Sequence, residues 1–344
     1  MHNRSIHSYC SVLNSIILSL LVVGLLVVSS FAQGVGGKAG VGGNGGFGGG
    51  FTASAGPSRV HLTAGCLNTA ATSYPLTIPS TTSGNVLAVA GYNEGNIPTV
   101  APTSLTWAAS TVTVSSTLNP GTGNTVAIWN AIPQGYNGVF TVGTSTGSAF
   151  TYSLASNPGT EIGAGNAALS PTIAISGATL IPQEADISYD SHRTMMLWTA
   201  VSNTGGATTA TVTWPVSTTG CLAVGEYSGQ TAVDVSANSP SGPLFGQAYG
   251  VSPFAGNTVT PTASKNEVMF GEVFDPSGPN HTSTFGGASG WTVGATAYEN
   301  GGTFGSFAYY EQIVASTSGT YAVSGTQSGT GVDQDITQPA TFKP

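Results

Sequence analysis

The chain has 344 residues, only 6% of which are Asp, Glu, Lys or Arg, while 49 are glycine; an ordinary soluble domain carries roughly 25% charged residues. The formal net charge is −8 and there is no basic run, so the phosphate neutralisation on which nucleic-acid binding depends has no source here. A surface built from hydroxyls, amides and backbone suits a secreted, wall-exposed or assembled protein better than a cytosolic one.

The first segment, MHNRS, carries Arg4, and IILSLLVVGLLVV (16–28) is apolar apart from Ser19 and Gly24. Ser30 and Ala32 put small residues where a signal peptidase reads, so residues 1–32 are a predicted signal peptide. The apolar run is short for a membrane span, which takes about 20 residues. The expected location is therefore secreted, extracellular or at the cell surface, with no membrane contact after signal cleavage. Residues 33–56 contain GVGGKAGVGGNGGFGGG and read as a Gly-rich flexible linker. Gly43 to Gly48 matches G-x-G-x-x-G, but the strand before and the helix after that a dinucleotide loop requires are missing.

From Pro57 to the C-terminus the apolar pattern is that of strands, with Gly, Pro, Asn and Ser between them. Predicted strands are NVLAVAGY, SLTWAAS, TVAIWNAI, GVFTVG, TMMLWTAV, TATVTW, CLAVGEY, EVMFGEVF, GWTVGATAY, SFAYYEQIV and GTYAVSGT. Many short strands without helices imply an all-β, antiparallel β-sandwich, jelly-roll-like or Ig-like, over residues 57–344. Two echoes run along it: LAVAGY (87–92) with LAVGEY (222–227), and TVAIWNAI (125–132) with TMMLWTAV (194–201). Their order favours one sandwich with an insertion around 108–165. After signal cleavage two cysteines remain, Cys66 and Cys221. In an oxidising compartment they form the single available disulfide; buried free thiols are the alternative.

The run LWTAV, TATVTW, CLAVGEYSG, NEVMFGEVF, a GW strand, YYEQIV, GTYAVSGT and ATFK resembles a loose family of secreted bacterial and phage-associated β-sandwich proteins of unknown function. Its members carry an A-V-x-E-Y-S-G strand. The resemblance covers Thr194 to Lys343 and implies fold and export, not chemistry.

Strand parity picks out three carboxylates, since alternate residues share a face. Glu226 shares a side with Leu222 and Val224, Glu272 with Val268, Phe270 and Phe274, and Glu311 with Phe307, Tyr309 and Ile313. One reading makes these an acidic groove floored by Trp198 and Tyr309, fit for binding a sugar or, with two carboxylates suitably spaced, for glycoside hydrolysis. The other places Glu226 at a strand end, bonded to turn amides or Arg193, with a bulge at Gly225 or Gly271 able to break the parity. The G-x-S-x-G match at 143–147 lacks the helix that a nucleophile elbow needs. No cofactor is expected. Calcium is left open at Asp333 and Asp335, and a divalent ion at Asp186, Asp190 and His192, where calcium would prefer oxygens only; an acidic surface loop is the other reading. The expected function is non-enzymatic adhesion or assembly at the cell surface or in the extracellular matrix. The partners would be a cell-wall or extracellular polysaccharide, or further copies through self-association. A carbohydrate-binding module or glycan-active enzyme is the alternative.

Overall fold

The computed structural model describes residues 56–95, 97–187, 193–234, 253–262, 266–276, 283–299, 305–314, 319–328, 335–337 and 339–344; for 184–187, 257 and 335 it describes the backbone alone. The predicted signal peptide and nearly all of the linker lie outside these residues. The described chain is all-β. Its strands are β1 (Ser58–Thr77), β2 (Val86–Glu94), β3 (Thr99–Val100), β4 (Ser104–Ala108), β5 (Thr111–Ser115), β6 (Thr125–Trp129), β7 (Gly138–Ser145), β8 (Ala149–Ser153), β9 (Asn166–Ser170), β10 (Thr172–Ile175) and β11 (Ile181–Ile187). They continue with β12 (Arg193–Ala200), β13 (Thr209–Ser228), β14 (Ala232–Val233), β15 (Phe254–Val259), β16 (Glu267–Asp275), β17 (Thr284–Gly287), β18 (Thr292–Glu299), β19 (Gly305–Val314), β20 (Tyr321–Ser328), β21 (Asp335–Ile336) and β22 (Ala340–Lys343).

A central sheet runs β1-β13-β2-β12-β11, and a second runs β14-β22-β16-β19-β18. Between them lies one core, built by Ala88, Ala90, Tyr92, Met195, Leu197, Ala223 and Tyr227 from the first sheet and by Phe270, Phe274, Phe307, Tyr309 and Phe342 from the second. Each such ring, fully buried, contributes about 1.5–3 kcal/mol. The opposite face of the central sheet holds a separate core of Leu87, Val89, Met196, Trp198, Leu222 and Val224. Its cover comes from the same long strands: Ala210, Val212 and Trp214 of β13 join that core, so β13 folds back over its own second half. The strand β1 follows it, and its register slips between Leu67 and Ser73 mark the bend. On the far side of the second sheet, β15-β20-β17 closes a third core around Met269, Val273, Trp291, Tyr310 and Val323.

This stacking explains the composition of the strands. Every residue from Val86 to Asn93 is buried, because sheets on both sides leave neither face to water, and the sequence there is a near-continuous apolar run. The echo between LAVAGY and LAVGEY is a physical pairing: Leu87 lies opposite Glu226, Val89 opposite Val224 and Gly91 opposite Leu222. Gly220 is obligatory at this seam, since a Cβ there would stand 2.3 Å from the Tyr92 carbonyl oxygen. The disulfide joins Cys66 to Cys221, directly opposed residues of β1 and β13.

The segment around the expected insertion makes its own sheet. Seven strands from Thr99 to Ser170 run in the order β3-β9-β6-β7-β8-β5-β4 and enclose Leu105, Val112, Val114, Val126, Ile128, Phe150 and Tyr152. The irregular stretch 153–172 supplies β9 to it. The β6/β9 end is anchored to the main body where Ala127, Val139 and Ala168 meet Val216 of β13.

Candidate functional site

The three glutamates of the parity argument do not converge. Glu226 faces the core of Leu222 and Val224, whereas Glu272 and Glu311 face the core on the other side of the central sheet. Neither Gly225 nor Gly271 interrupts its register, so the parity holds and itself separates them. Trp198 and Tyr309 are likewise divided between the two cores and are buried. They wall no common groove.

A bulge decides where the partners go. Arg59 lies opposite Tyr227 and His61 opposite Glu226, with Val60 as the extra residue between them. An extra residue turns what would be same-face neighbours to opposite faces. His61 Nε2 therefore stands 2.5 Å from Glu226 Oε2. The other oxygen, Oε1, accepts from the Thr82 backbone N–H at 2.9 Å and from Asn85 Nδ2. Glu226 thus clamps the turn that leads into β2, and the expected turn-amide role is what the geometry gives; Arg193 is not its partner. On the other face Arg59 Nη1 donates to Glu311 Oε1 at 2.5 Å, and the Tyr227 hydroxyl donates to Oε2 at 2.5 Å. The Tyr227 and Tyr309 hydroxyls lie 2.9 Å apart. Burial holds both phenols well above the ordinary tyrosine value, and for Tyr227 the adjoining Tyr309 and Glu311 add to the rise. Glu272 is fully buried and accepts from the Met196 backbone N–H at 3.0 Å.

Sequence reasoning missed one carboxylate pair. Glu299 of β18 is fully buried in the core face of the second sheet. Glu94 of β2 reaches it from the central sheet, where it lies opposite Thr219 and Arg193. Burial, reinforced by the Glu94 carboxylate and slightly offset by the Thr219 hydroxyl, pushes the Glu299 carboxyl up to about 8. Only the sheet-to-sheet pairing brings Glu94 and Glu299 together, so the sequence carried no sign of it. A protonated acid beside a second carboxyl is capable of proton transfer, but Glu299 is shut inside the sandwich.

The seven-stranded sheet presents the opposite situation. From residue 97 to 180 the only charged side chain is Glu161. The inner face of its β4, β5 and β8 strands buries Leu105, Val112, Val114, Phe150 and Tyr152, and the outer face carries Thr106, Thr111, Thr113 and Ser153 in exposed positions with Thr151 half-buried. The registers align these hydroxyls in ranks. Thr106, Thr113 and Thr151 are successive partners across β4, β5 and β8, and Thr144 of β7 completes the rank. A bulge at Gly143 keeps Thr144 in it: Val142 pairs inward with Tyr152 and Thr144 outward with Thr151. Adjoining ranks hold Ser104 with Ser115, and Thr111 with Ser153. Neighbouring strands are about 4.8 Å apart and alternate residues about 6.7 Å apart, so the face is a two-dimensional hydroxyl lattice.

Among the described residues no group of three or more His, Cys, Asp or Glu side chains gathers to hold a metal ion. The ion-ligand candidates Asp190, His192 and Asp333 lie outside the described residues, as do the side chains of Asp186 and Asp335. Comparison with family models, with curated proteins and with solved structures gives no match for this chain.

Proposed function

We propose that this protein is an exported, non-enzymatic adhesion protein that holds uncharged extracellular or cell-wall polysaccharide on the threonine face of its seven-stranded sheet. The observation that carries the reading is the ranked lattice of Thr106, Thr113, Thr151 and Thr144 on a sheet with one charged side chain. A β-linked polymer offers hydroxyls at regular intervals along a ribbon, and a regular lattice of hydroxyls and methyls complements it without ionic contacts. Recognition through many weak neutral contacts also accounts for a chain so poor in charge.

The fate of the carboxylates supports adhesion over hydrolysis. Glu226 and Glu272 are fully buried, and Glu311 is tied to Arg59 and Tyr227. The sheet's single charge argues against assembly through its outer strand. Glu161, from the loop between β8 and β9, accepts from the Leu105 N–H of β4 at 3.3 Å, which places a carboxylate against this edge strand and opposes pairing with a further strand. Recognition then falls to the face. The test is cosedimentation with insoluble cellulose, chitin and β-1,3-glucan, alongside sedimentation velocity of the protein alone. Adsorption to at least one polymer, lost in the T113K/T151K double variant, is expected. Adsorption to none of them, or adsorption that survives the double variant, overturns the reading.

A further inference from the structure

A second site lies on a different part of the molecule and rests on a separate observation. Where β15 and β20 meet the turn between β17 and β18, the surface opens into a cavity of about 400 Å³. Its walls are the rings of Phe254, Trp291 and Tyr321 and the hydroxyl-bearing residues Thr258, Ser289, Thr320 and Ser324, with no charged side chain among its lining residues.

The cavity is built rather than incidental. Ser289 and Gly290 both have positive φ, 54° and 88°, and Trp291 N–H donates to the Ala288 carbonyl at 3.0 Å. That is a tight four-residue turn whose two central residues occupy the left-handed region, and it carries the chain from β17 in one sheet to β18 in another. The turn is fastened to the neighbouring sheet: Ser324 Oγ donates to the Ala288 carbonyl at 3.3 Å, and the Ala288 N–H donates to the Ser324 carbonyl at 3.3 Å. Trp291 and Phe254 are buried at the base, while Thr258, Ser289 and Thr320 are exposed around them and Tyr321 is half-buried. On the opposite wall β15 carries a register slip between Ala255 and Thr258, which splays the strand at the cavity. The volume lies within the range of small-molecule sites and has room for roughly a disaccharide.

We infer that this cavity is a binding site for a short, uncharged glycan segment, two or so sugar rings long. Aromatic rings at the base meet the C–H face of a pyranose, hydroxyls at the rim meet its hydroxyls, and the lack of a charged side chain among the described lining residues selects against uronates, sialylated chains and phosphosugars. The site recognises soluble oligosaccharide, a ligand too short to span the threonine ranks. It stands whether or not the sheet face adsorbs polymer.

The test is isothermal titration with neutral disaccharides of β-1,4-glucose, β-1,3-glucose, β-1,4-N-acetylglucosamine and β-1,4-xylose, with oligogalacturonate as the charged probe. At least one neutral probe is expected to bind, and oligogalacturonate is not. Y321A should weaken binding about tenfold, the loss of one aromatic contact. T320R, exposed and away from the core, should abolish it with an unchanged circular dichroism spectrum. T113K on the sheet face should leave it unaltered, which separates this site from the adhesive face. The inference fails if no neutral probe binds at millimolar concentration, if oligogalacturonate binds as well as the neutral probes, or if T320R binds like the wild type.

Discussion

Replacing Glu299 by glutamine tests the pairing of this buried carboxyl with the half-buried Glu94 through the pH dependence of stability. In the folded protein Glu299 keeps its proton up to about 8, whereas in the unfolded chain it releases it near 4.5. A group whose folded pKa is raised stabilises fully below the unfolded value and loses that contribution as pH climbs through the folded one. Each tenfold change in proton affinity is worth about 1.4 kcal/mol, so the loss between pH 4.5 and 8 is about 5 kcal/mol. The neutral glutamine keeps the shape and has no proton to lose. E299Q and wild type should therefore have similar stability at pH 4, and the variant should be more stable by several kcal/mol at pH 8.5. Urea melts at those two pH values measure the difference. A second variant, E94Q, removes the neighbouring carboxylate that helps raise the Glu299 pKa and should shift the pH-dependent loss of stability to lower pH. A stability difference between E299Q and wild type that stays flat with pH refutes the carboxyl-pair reasoning.

Three further outcomes are expected. Removing the disulfide with C66A/C221A opens a closure spanning 155 residues and should cost up to about 5 kcal/mol on chain-entropy grounds, read as a lower urea midpoint. E226A leaves the part-buried Thr82 N–H and Asn85 amide without their acceptor and removes the carboxylate facing His61, and should destabilise by about 2–6 kcal/mol, at ~1–3 kcal/mol per unsatisfied donor; because Glu226 is internal, adsorption to polysaccharide by the folded fraction should not change. In alkaline absorbance titration the Tyr227 and Tyr309 phenols should stay un-ionised until the protein unfolds, since burial holds both well above the ordinary value; two additional phenols ionising in the native state at the ordinary tyrosine pKa contradicts the network.

What could be read from the sequence follows from what is local. Alternation in TATVTW and the apolar run in NVLAVAGY marked both as strands, and both are so, whereas the short alternating strands TVTVS and AFTYS were not among those predicted. The disulfide was legible because only two cysteines remained to pair. Parity correctly assigned Glu226 to the side of Leu222 and Val224. It could not say which side of the sheet the strands of the second sheet would cover, and that decided whether the glutamates met. The bulge at Val60 was equally hidden, because nothing in SRVHL marks it, yet it sends Arg59 to Glu311 and His61 to Glu226. The threonine ranks needed register across four strands. Each strand shows its threonines alone, but TVTVS, AFTYS and SLTWA give no sign of lying side by side, and the shift at Gly143 that keeps Thr144 aligned is a property of the paired sheet.

The most direct measurement of the adhesive role is adsorption to insoluble polysaccharide by wild type and by T113K/T151K, two substitutions at the centre of the longest threonine rank. Wild type should sediment with a neutral polymer, largely independent of salt because no ion pairs are involved, and the double variant should stay in solution while folding normally. Equal sedimentation of the two proteins, or none by the wild type, would contradict it.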